Sequence, residues 1–216
     1  MKRRLTATGP KVLTAKLSAT DLTLIRGERC LFTGVGFALE SGQLLLLEGQ
    51  NGSGKTSLLN AMVGMLEFEM GEIFWGGEPI RVVRQEFFKS LVWMAHRVGF
   101  KADLTLVENL RFEASLRPTS KKGLDSVCER LGLTRLRKLP MRSLSAGQQR
   151  RVALARMLLA DATLWLMDEP FTNLDRQGRA LVEEIIAEHL SQGGMCVIAA
   201  HQDVNVAAPI ERVLLQ

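Results

Sequence analysis

The stretch Gly49-Gln50-Asn51-Gly52-Ser53-Gly54-Lys55-Thr56 lies between an apolar run at 44–47 and a helical pattern at 57–62. The spacing G-x-x-x-x-G-K-[ST] between a buried strand and a helix predicts a phosphate-binding loop. Glycines let backbone N–H groups converge on phosphate oxygens, Lys55 adds a positive charge, and the Thr56 hydroxyl can ligate Mg²⁺. The alternative interpretation is a flexible Gly/Ser turn. The candidate phosphate-binding residues are Gly49, Gln50, Asn51, Gly52, Ser53, Gly54, Lys55, Thr56 and Ser57.

A second motif places two acids after a core strand. The apolar run 164–167 is followed by Asp168 and Glu169, about where we expect a strand next to the phosphate loop to finish. Asp168 suits a Mg²⁺ partner, and Glu169 suits a general base that deprotonates water for attack on a γ-phosphate. Charged residues often end strands, so the phosphate loop upstream is what favours function.

The third motif is the loop Ser145-Ala146-Gly147-Gln148 before a strongly helical run. The Ser145 hydroxyl and the Gly147 N–H at a helix N-terminus would form a second anion site. Taken alone, the loop could equally be an N-capped helix.

The three motifs in this order resemble those of ATP-binding-cassette ATPases, and the resemblance covers residues 16–216. It implies an α/β fold: a P-loop NTPase core of the ABC type with an N-terminal antiparallel β-subdomain and a helical subdomain. The β-subdomain and the RecA-like core would span about 15–97 and 143–216, and the helical subdomain about 98–142. Residues 1–14 carry no periodic pattern, which predicts a disordered lead-in.

Within these bounds, the patterns predict individual elements. Strands are expected at 17–24, 31–32, 35–39, 71–77, 91–95 and 195–200, with turns at Gly27 and Gly34. At least two short helices are expected between 105 and 142.

The resemblance also assigns roles. ATP and Mg²⁺ would be the cofactors, with Glu169 and His201 catalytic and His201 contacting the γ-phosphate. The loop of one subunit would close on the ATP of the other, which implies a head-to-tail homodimer. The residues that would act across that interface are Ser145, Gly147, Gln148 and Asp175.

Two positions depart from the family pattern. Arg26 stands where the family stacks adenine on an aromatic residue, and a guanidinium plane can also stack on a purine. Arg97 stands where the family has a glutamine that contacts Mg²⁺. Because a cation cannot ligate a metal, either water completes the metal shell or turnover depends unusually strongly on the partner.

The segment 96–112 and the run 144–171 resemble one subfamily, the ATP-binding subunits of haem exporters in bacterial c-type cytochrome maturation. This implies integral membrane partners of a haem exporter complex and a peripheral place on the cytoplasmic side of the inner membrane. The ATPase of another transporter (for lipoproteins, lipids or a small solute) is the alternative. A non-hydrolysing regulatory module is disfavoured by Lys55, Asp168, Glu169 and His201, although Arg97 keeps it open.

The composition of the chain restricts the partners, membrane spans and cysteine roles that it can have. The net charge of +5 is a mild excess, with a basic concentration at 130–151 that would suit an anionic membrane surface. No apolar stretch approaches the roughly 18–20 residues that cross a bilayer. No nucleic-acid partner is expected, since soluble cassette ATPases of that class would need tandem cassettes or a long insertion. Cys30, Cys128 and Cys196 are interpreted as small buried residues rather than disulfides or zinc ligands.

Overall fold

The computed structural model describes residues 17–201 and 203–215, so the predicted disordered lead-in at 1–14 lies outside the described residues. Nine strands and six α-helices are found in the described part. The strands are β1 (Leu17–Arg26), β2 (Arg29–Leu39), β3 (Leu44–Glu48), β4 (Met70–Trp75), β5 (Glu78–Pro79), β6 (Leu91–Met94), β7 (Leu164–Asp168), β8 (Met195–Ala199) and β9 (Ile210–Leu214). The helices are α1 (Lys55–Met62), α2 (Arg84–Ser90), α3 (Leu106–Ser115), α4 (Leu124–Arg130), α5 (Ala146–Leu159) and α6 (Arg176–Ser191), with short 3₁₀ helices at Thr134–Leu136 and Met141–Ser143.

A parallel sheet of five strands, in the order β6-β7-β8-β3-β9, forms the centre of the fold. The strand β8 separates β7, which carries the acids, from β3, which leads into the phosphate loop. The acids nevertheless lie next to the phosphate loop, as expected from the sequence. Carboxyl ends of parallel strands share one edge of a sheet, so the loop after β3 and the acids after β7 still meet.

An antiparallel sheet of four strands, in the order β2-β1-β4-β5, confirms the predicted N-terminal β-layer. Gly34 was expected to form a turn between two short strands, but it lies inside β2. The pairing of β1 with β2 shifts register in this region, where Gly34 has φ +67° and Asp21 on β1 has φ +52°. An irregularity of this kind bends a long strand without ending it, which explains why a turn signal occurs within one strand.

Alternation along β3 divides the interior into two cores. Leu44 and Leu46 contribute to one hydrophobic cluster, which also includes residues of α3, α4, α5 and α6. Leu45 and Leu47 contribute to the other, which includes residues of α1, α2 and the antiparallel sheet. All four leucines are at most 1% exposed. A strand covered on both faces is continuously apolar, as the sequence of β3 is.

The mixed α/β cassette fold and the helices predicted between 105 and 142 are confirmed, whereas the exact subdomain limits stay a prediction. Of the three cysteines, Cys128 and Cys196 are buried as expected, but Cys30 is exposed because it lies near the start of the edge strand β2. All three are free thiols. The sequence patterns missed α2, α6 and β9. Among the described residues, no helix combines the length and the apolar character needed to span a bilayer.

Candidate active site

The phosphate loop turns tightly from β3 into α1. A Cβ atom added at Gly49 would lie 2.5 Å from both the Leu215 carbonyl oxygen and Ser53 Oγ, so only glycine fits there. The Lys55 ammonium donates to the carbonyl oxygens of Gly49 (2.6 Å) and Gln50 (3.1 Å). Burial lowers the pKa of Lys55, and the nearby carboxylates of Glu169 and Asp168 oppose that shift.

Thr56 and Asp168 form a compact oxygen pair beside the loop. Thr56 Oγ1 donates to Asp168, at 3.0 Å from Oδ2 and 3.2 Å from Oδ1, and Asp168 is only 1% exposed. A carboxylate and a hydroxyl in contact are the hard oxygen donors that Mg²⁺ prefers. These residues therefore fit the metal that the sequence predicts here.

Glu169 follows β7 in a left-handed conformation, with φ +50°. This is a costly backbone geometry for a non-glycine residue. Its N–H donates to the Ala199 carbonyl at 2.9 Å, which fixes it to the end of β8. His201 Nε2 lies 3.2 Å from Glu169 Oε1, so the predicted base and the histidine predicted to contact the γ-phosphate are in contact.

A cleft of about 520 Å³ lies over the phosphate loop. This volume falls in the usual range of small-molecule sites, roughly 300–1,000 Å³. Of the residues predicted to bind ATP or to catalyse, those lining the cleft are Arg26, Asn51, Gly52, Gly54, Lys55, Thr56, Ser57, Glu169 and His201. Gly49, Gln50, Ser53 and Asp168 do not line it, although Asp168 reaches it through Thr56.

Sequence reasoning missed four lining residues: Arg29, Leu31, Asn60 and His96. Arg29 pairs with Arg26 across the turn between β1 and β2, so a hairpin prediction could have found it. His96 follows the core strand β6 by two residues. A polar side chain near the carboxyl end of a parallel strand was the signal that was overlooked.

The loop at 145–148, which we call the signature loop, lies apart from this cleft, which Ser145, Gly147 and Gln148 do not line. Ser145 caps α5 and forms a capping box with Gln148, so their side chains satisfy backbone N–H groups of the same turn. A Cβ atom at Gly147 would lie 2.8 Å from the Asn173 carbonyl oxygen. Asp175, predicted to act across the dimer, caps α6 by accepting from the Gly178 N–H at 2.7 Å.

A second groove of about 320 Å³ adjoins the cleft. Arg97 lines this groove and not the nucleotide cleft, whereas His96 lines both. The cation at the expected glutamine position thus lies away from Thr56, and the neighbouring histidine occupies the edge of the cleft.

Comparison with protein families identifies the architecture. Residues 32–172 match the family model described as ABC transporter. The chain belongs to the ABC transporter family.

Individual relatives agree with this assignment. The chain is 44% identical over 203 residues to a cytochrome c biogenesis ATP-binding export protein CcmA of Nitrosospira multiformis, covering 92% of this chain and 98% of the relative. Proteins of the same name from Methylococcus capsulatus (44% over 194 residues, 89% and 94% covered) and Salmonella typhi (43% over 198 residues, 92% and 95% covered) are similarly close.

Solved structures share the fold. A putative ABC transporter ATP-binding protein from Pyrococcus furiosus superposes with a TM-score of 0.78 at 25% identity, covering 91% of this chain and 96% of that one. A bacterial Atm1-family ABC exporter with ATP bound gives a TM-score of 0.80 at 16% identity, covering 94% of this chain and 37% of the exporter. The second match supports the fold alone.

Proposed function

We propose that this chain is the ATP-hydrolysing subunit of a membrane exporter in cytochrome c biogenesis, and that the exporter handles haem. The observation that carries the proposal is the 43–44% identity to cytochrome c biogenesis export proteins over about nine-tenths of the chain. The chemistry of the cleft agrees, because a phosphate loop, an oxygen pair suited to a metal and a carboxylate base converge there. The ATPase of a different exporter is the second candidate.

In this proposal the cleft binds ATP along the phosphate loop. Lys55 neutralises phosphate charge, and the N–H groups at the start of α1 face the same oxygens. Arg26, with Arg29 beside it, contacts the base by stacking its guanidinium plane. Thr56 and Asp168 would hold Mg²⁺, which supplies charge neutralisation on the phosphate oxygens.

Glu169 is the proposed general base. Its carboxylate accepts the proton of a water molecule as that water attacks the γ-phosphorus, and the bond to the leaving ADP oxygen breaks. His201, in contact with Glu169 Oε1, orients this carboxylate and reaches the γ-phosphate side of the cleft. Positioning of this kind is the main way in which enzymes accelerate phosphoryl transfer.

The position of the signature loop outside the cleft supports a head-to-tail homodimer. Ser145, Gly147 and Gln148 lie at the N-terminus of α5, a natural anion site. In the dimer each chain would present this terminus, together with Asp175, to the ATP bound by its partner; Asp175 follows by two residues Asn173, whose carbonyl lies against Gly147. Each of the two sites would then contain residues of both chains.

Peripheral attachment to the cytoplasmic face of the inner membrane completes the proposal. Integral subunits of the exporter would dock in the 320 Å³ groove, which has apolar walls (Val98, Phe100 and Met141) beside basic ones (Arg97 and Arg142). Such a groove suits an amphipathic segment with an acidic side.

The experiment is purification of the Glu169→Gln chain from its own membranes in gentle detergent with ATP present, followed by identification of the proteins that copurify. Recovery of haem-handling membrane subunits supports the proposal. Recovery of an unrelated permease keeps the ATPase and overturns the haem assignment, and recovery of ribosomes or nucleic acid alone overturns the transport role. The matched control is the wild-type chain without nucleotide.

A further inference from the structure

Two arginines of α5 hold the segment that leads from β6 to α3. Arg156 donates from Nη2 to the Trp93 carbonyl at 3.0 Å and from Nη1 to the Val98 carbonyl at 3.3 Å. Arg150 donates from Nη1 to the Ala95 carbonyl at 3.2 Å. Both side chains therefore fix the backbone of residues 93–98, which we call the β6–α3 segment.

Only Arg150 also reaches the catalytic centre. Its Nη2 donates to the carbonyl oxygen of Glu169 at 2.9 Å, so one guanidinium spans Ala95 and Glu169. The planar fork of arginine suits two acceptors at once, which a lysine ammonium cannot match in the same geometry. Both α5 arginines thus hold the β6–α3 segment, but Arg150 contacts Glu169 whereas Arg156 faces Glu113 (3.9 Å) and the Phe100 ring (5.3 Å to its centroid).

Arg150 is a buried cation, 5% exposed, and such a charge must be compensated. Burial lowers the pKa of its guanidinium, and the carboxylates of Asp168 and Glu169 counteract that shift. Because both carbonyl bonds and both carboxylates compensate one charge, movement of any of these groups disturbs the others.

The residue at the other end of this contact has little freedom of its own. Glu169 has φ +50°, donates its N–H to Ala199, and accepts at its carbonyl from Arg150 and from the Thr172 N–H at 3.2 Å. Three bonds therefore hold a backbone conformation that is intrinsically unfavourable for glutamate. The direction of the Glu169 carboxylate depends on that conformation.

We propose that Arg150 is a positioning residue for ATP hydrolysis, which holds Glu169 in its catalytic orientation and connects it to the β6–α3 segment. Arg150 also lines the 320 Å³ groove together with His96 and Arg97 of that segment. A membrane subunit docked in the groove would thus contact both the β6–α3 segment and the Arg150 guanidinium, which bonds to the backbone of the proposed base, Glu169. This inference rests on the proposed function, since it assigns a part in the same hydrolytic site.

The test compares steady-state ATP hydrolysis by the full-length wild-type chain with that of Arg150→Met, Arg150→Lys and Arg156→Met. Thermal unfolding is measured in parallel. Arg150→Met is expected to lower kcat about 10- to 100-fold, the scale of a misplaced catalytic group, while KM for ATP stays within about threefold. Arg150→Lys restores one carbonyl bond and is expected to have an intermediate kcat.

Arg156→Met is the matched control, because it removes a mostly buried cation of the same helix (side chain 11% exposed) that bonds to the β6–α3 segment but not to Glu169. It is expected to lower the unfolding temperature at least as much as Arg150→Met does. Its kcat, measured at a temperature below the unfolding transitions of both variants, is expected to change about twofold at most. If both methionine variants lower kcat in proportion to their loss of stability, Arg150 has only a structural role and the proposal is overturned.

A double-mutant cycle separates action through Glu169 from any other effect. Single-turnover hydrolysis is measured for Glu169→Gln with and without Arg150→Met. If Arg150 acts by orienting the base, its replacement has no further effect once the base is gone, whereas multiplying losses would contradict the proposal. A wild-type chain that binds ATP but never hydrolyses it, even in the complex recovered from its own membranes, refutes the proposed function itself, an outcome distinct from normal kcat in Arg150→Met.

Discussion

His201 Nε2 lies 3.2 Å from Glu169 Oε1, although the two residues follow different strands of the parallel sheet. Glu169 follows β7 and His201 comes two residues after β8, and β7 and β8 are neighbours. The contact therefore results from sheet order, which brings two successive strand ends together. It makes the orientation of the base depend on a side chain from the next strand.

Replacing Glu169 by glutamine is expected to abolish steady-state ATP hydrolysis while ATP binding persists, because the amide keeps the shape but cannot accept the proton. A nucleotide-bound dimer should then accumulate, measurable by size-exclusion chromatography with light scattering. Turnover by Glu169→Gln at the wild-type rate would remove Glu169 from the role of base.

His201→Ala is expected to lower kcat by about two orders of magnitude with KM for ATP less affected.

Asp168→Asn is expected to weaken the binding of Mg²⁺ at the nucleotide site. The amide preserves volume and can still accept from Thr56, but it removes the negative charge that a divalent cation needs. The measurement is the half-saturating Mg²⁺ concentration for hydrolysis, which should rise about tenfold or more. Thr56→Ser retains the hydroxyl and serves as the control, and an unchanged Mg²⁺ requirement in Asp168→Asn would exclude Asp168 from the metal site.

The central sheet and the phosphate site could be predicted because their signals are local. The run of leucines in β3, the glycines after it and the acids after β7 each specify a short piece of backbone with its chemistry. Sheet order is not local, so these signals do not specify that β8 lies between β7 and β3. The Gly34 signal was misinterpreted for a related reason, since only pairing with β1 shows an irregularity instead of a turn.

Contacts between residues of different helices and strands could not be predicted from the sequence. Nothing in the helical pattern of α5 indicates that Arg150 bonds to Glu169, since that contact depends on how α5 packs beside the ends of β6 and β7. Cys30 was assigned to the interior from its apolar neighbours, but its place near the start of an edge strand exposes it. Burial on an edge depends on what covers the edge, which periodicity does not specify.

The structure shows which basic residues of the predicted helical subdomain (about 98–142) are free to contact a membrane surface. Arg130 is engaged with Glu184 (3.0 Å) and Glu188 (2.5 Å), so reversing its charge would destabilise the fold. Arg135 and Lys138 line a groove of about 670 Å³, and within residues 17–201 and 203–215 neither forms an ion pair. If the lobe faces an anionic leaflet, these two are the cations that contribute.

Reversal of both charges, Arg135→Glu with Lys138→Glu, is expected to reduce recovery in the membrane fraction without lowering the unfolding temperature. Each basic residue near an anionic surface contributes about 1 kcal/mol, so two reversals have a measurable effect. Reversal of the exposed Arg84 and Lys89 of α2, outside the helical subdomain, gives the same change in net charge and is the control. Equal recovery of both double variants would mean that only net charge matters.

Gly147→Ala is expected to reduce both stability and hydrolysis. The new Cβ atom would lie 2.8 Å from the Asn173 carbonyl oxygen, so the loop between Glu169 and α6 must move. Overpacking of this kind costs about 1–3 kcal/mol. Thermal unfolding and kcat measure the two effects, and Ala146→Gly, one residue earlier in α5, is the control expected to change neither substantially. Normal hydrolysis by Gly147→Ala would show that this close approach is dispensable.

Stability should fall in acid in two separate pH ranges. His189 stacks on Trp165, with ring centroids 4.0 Å apart, and burial lowers its pKa to about 4. The unfolded chain, with a histidine pKa of about 6.5, then binds the proton first, so stability decreases as pH falls from 6.5 to 4. The loss from this group is on the order of 3 kcal/mol.

Glu188 acts at lower pH. Hydrogen bonds from Lys122 and then Arg130 lower its pKa to about 2, so its contribution is complete above pH 4.5 and is lost towards pH 2. Denaturant unfolding of the wild type and of His189→Phe, which keeps a ring against Trp165, separates the two. The difference between the two curves should change between pH 6.5 and 4 and be level below that range. A difference independent of pH would show that His189 does not titrate with a lowered pKa.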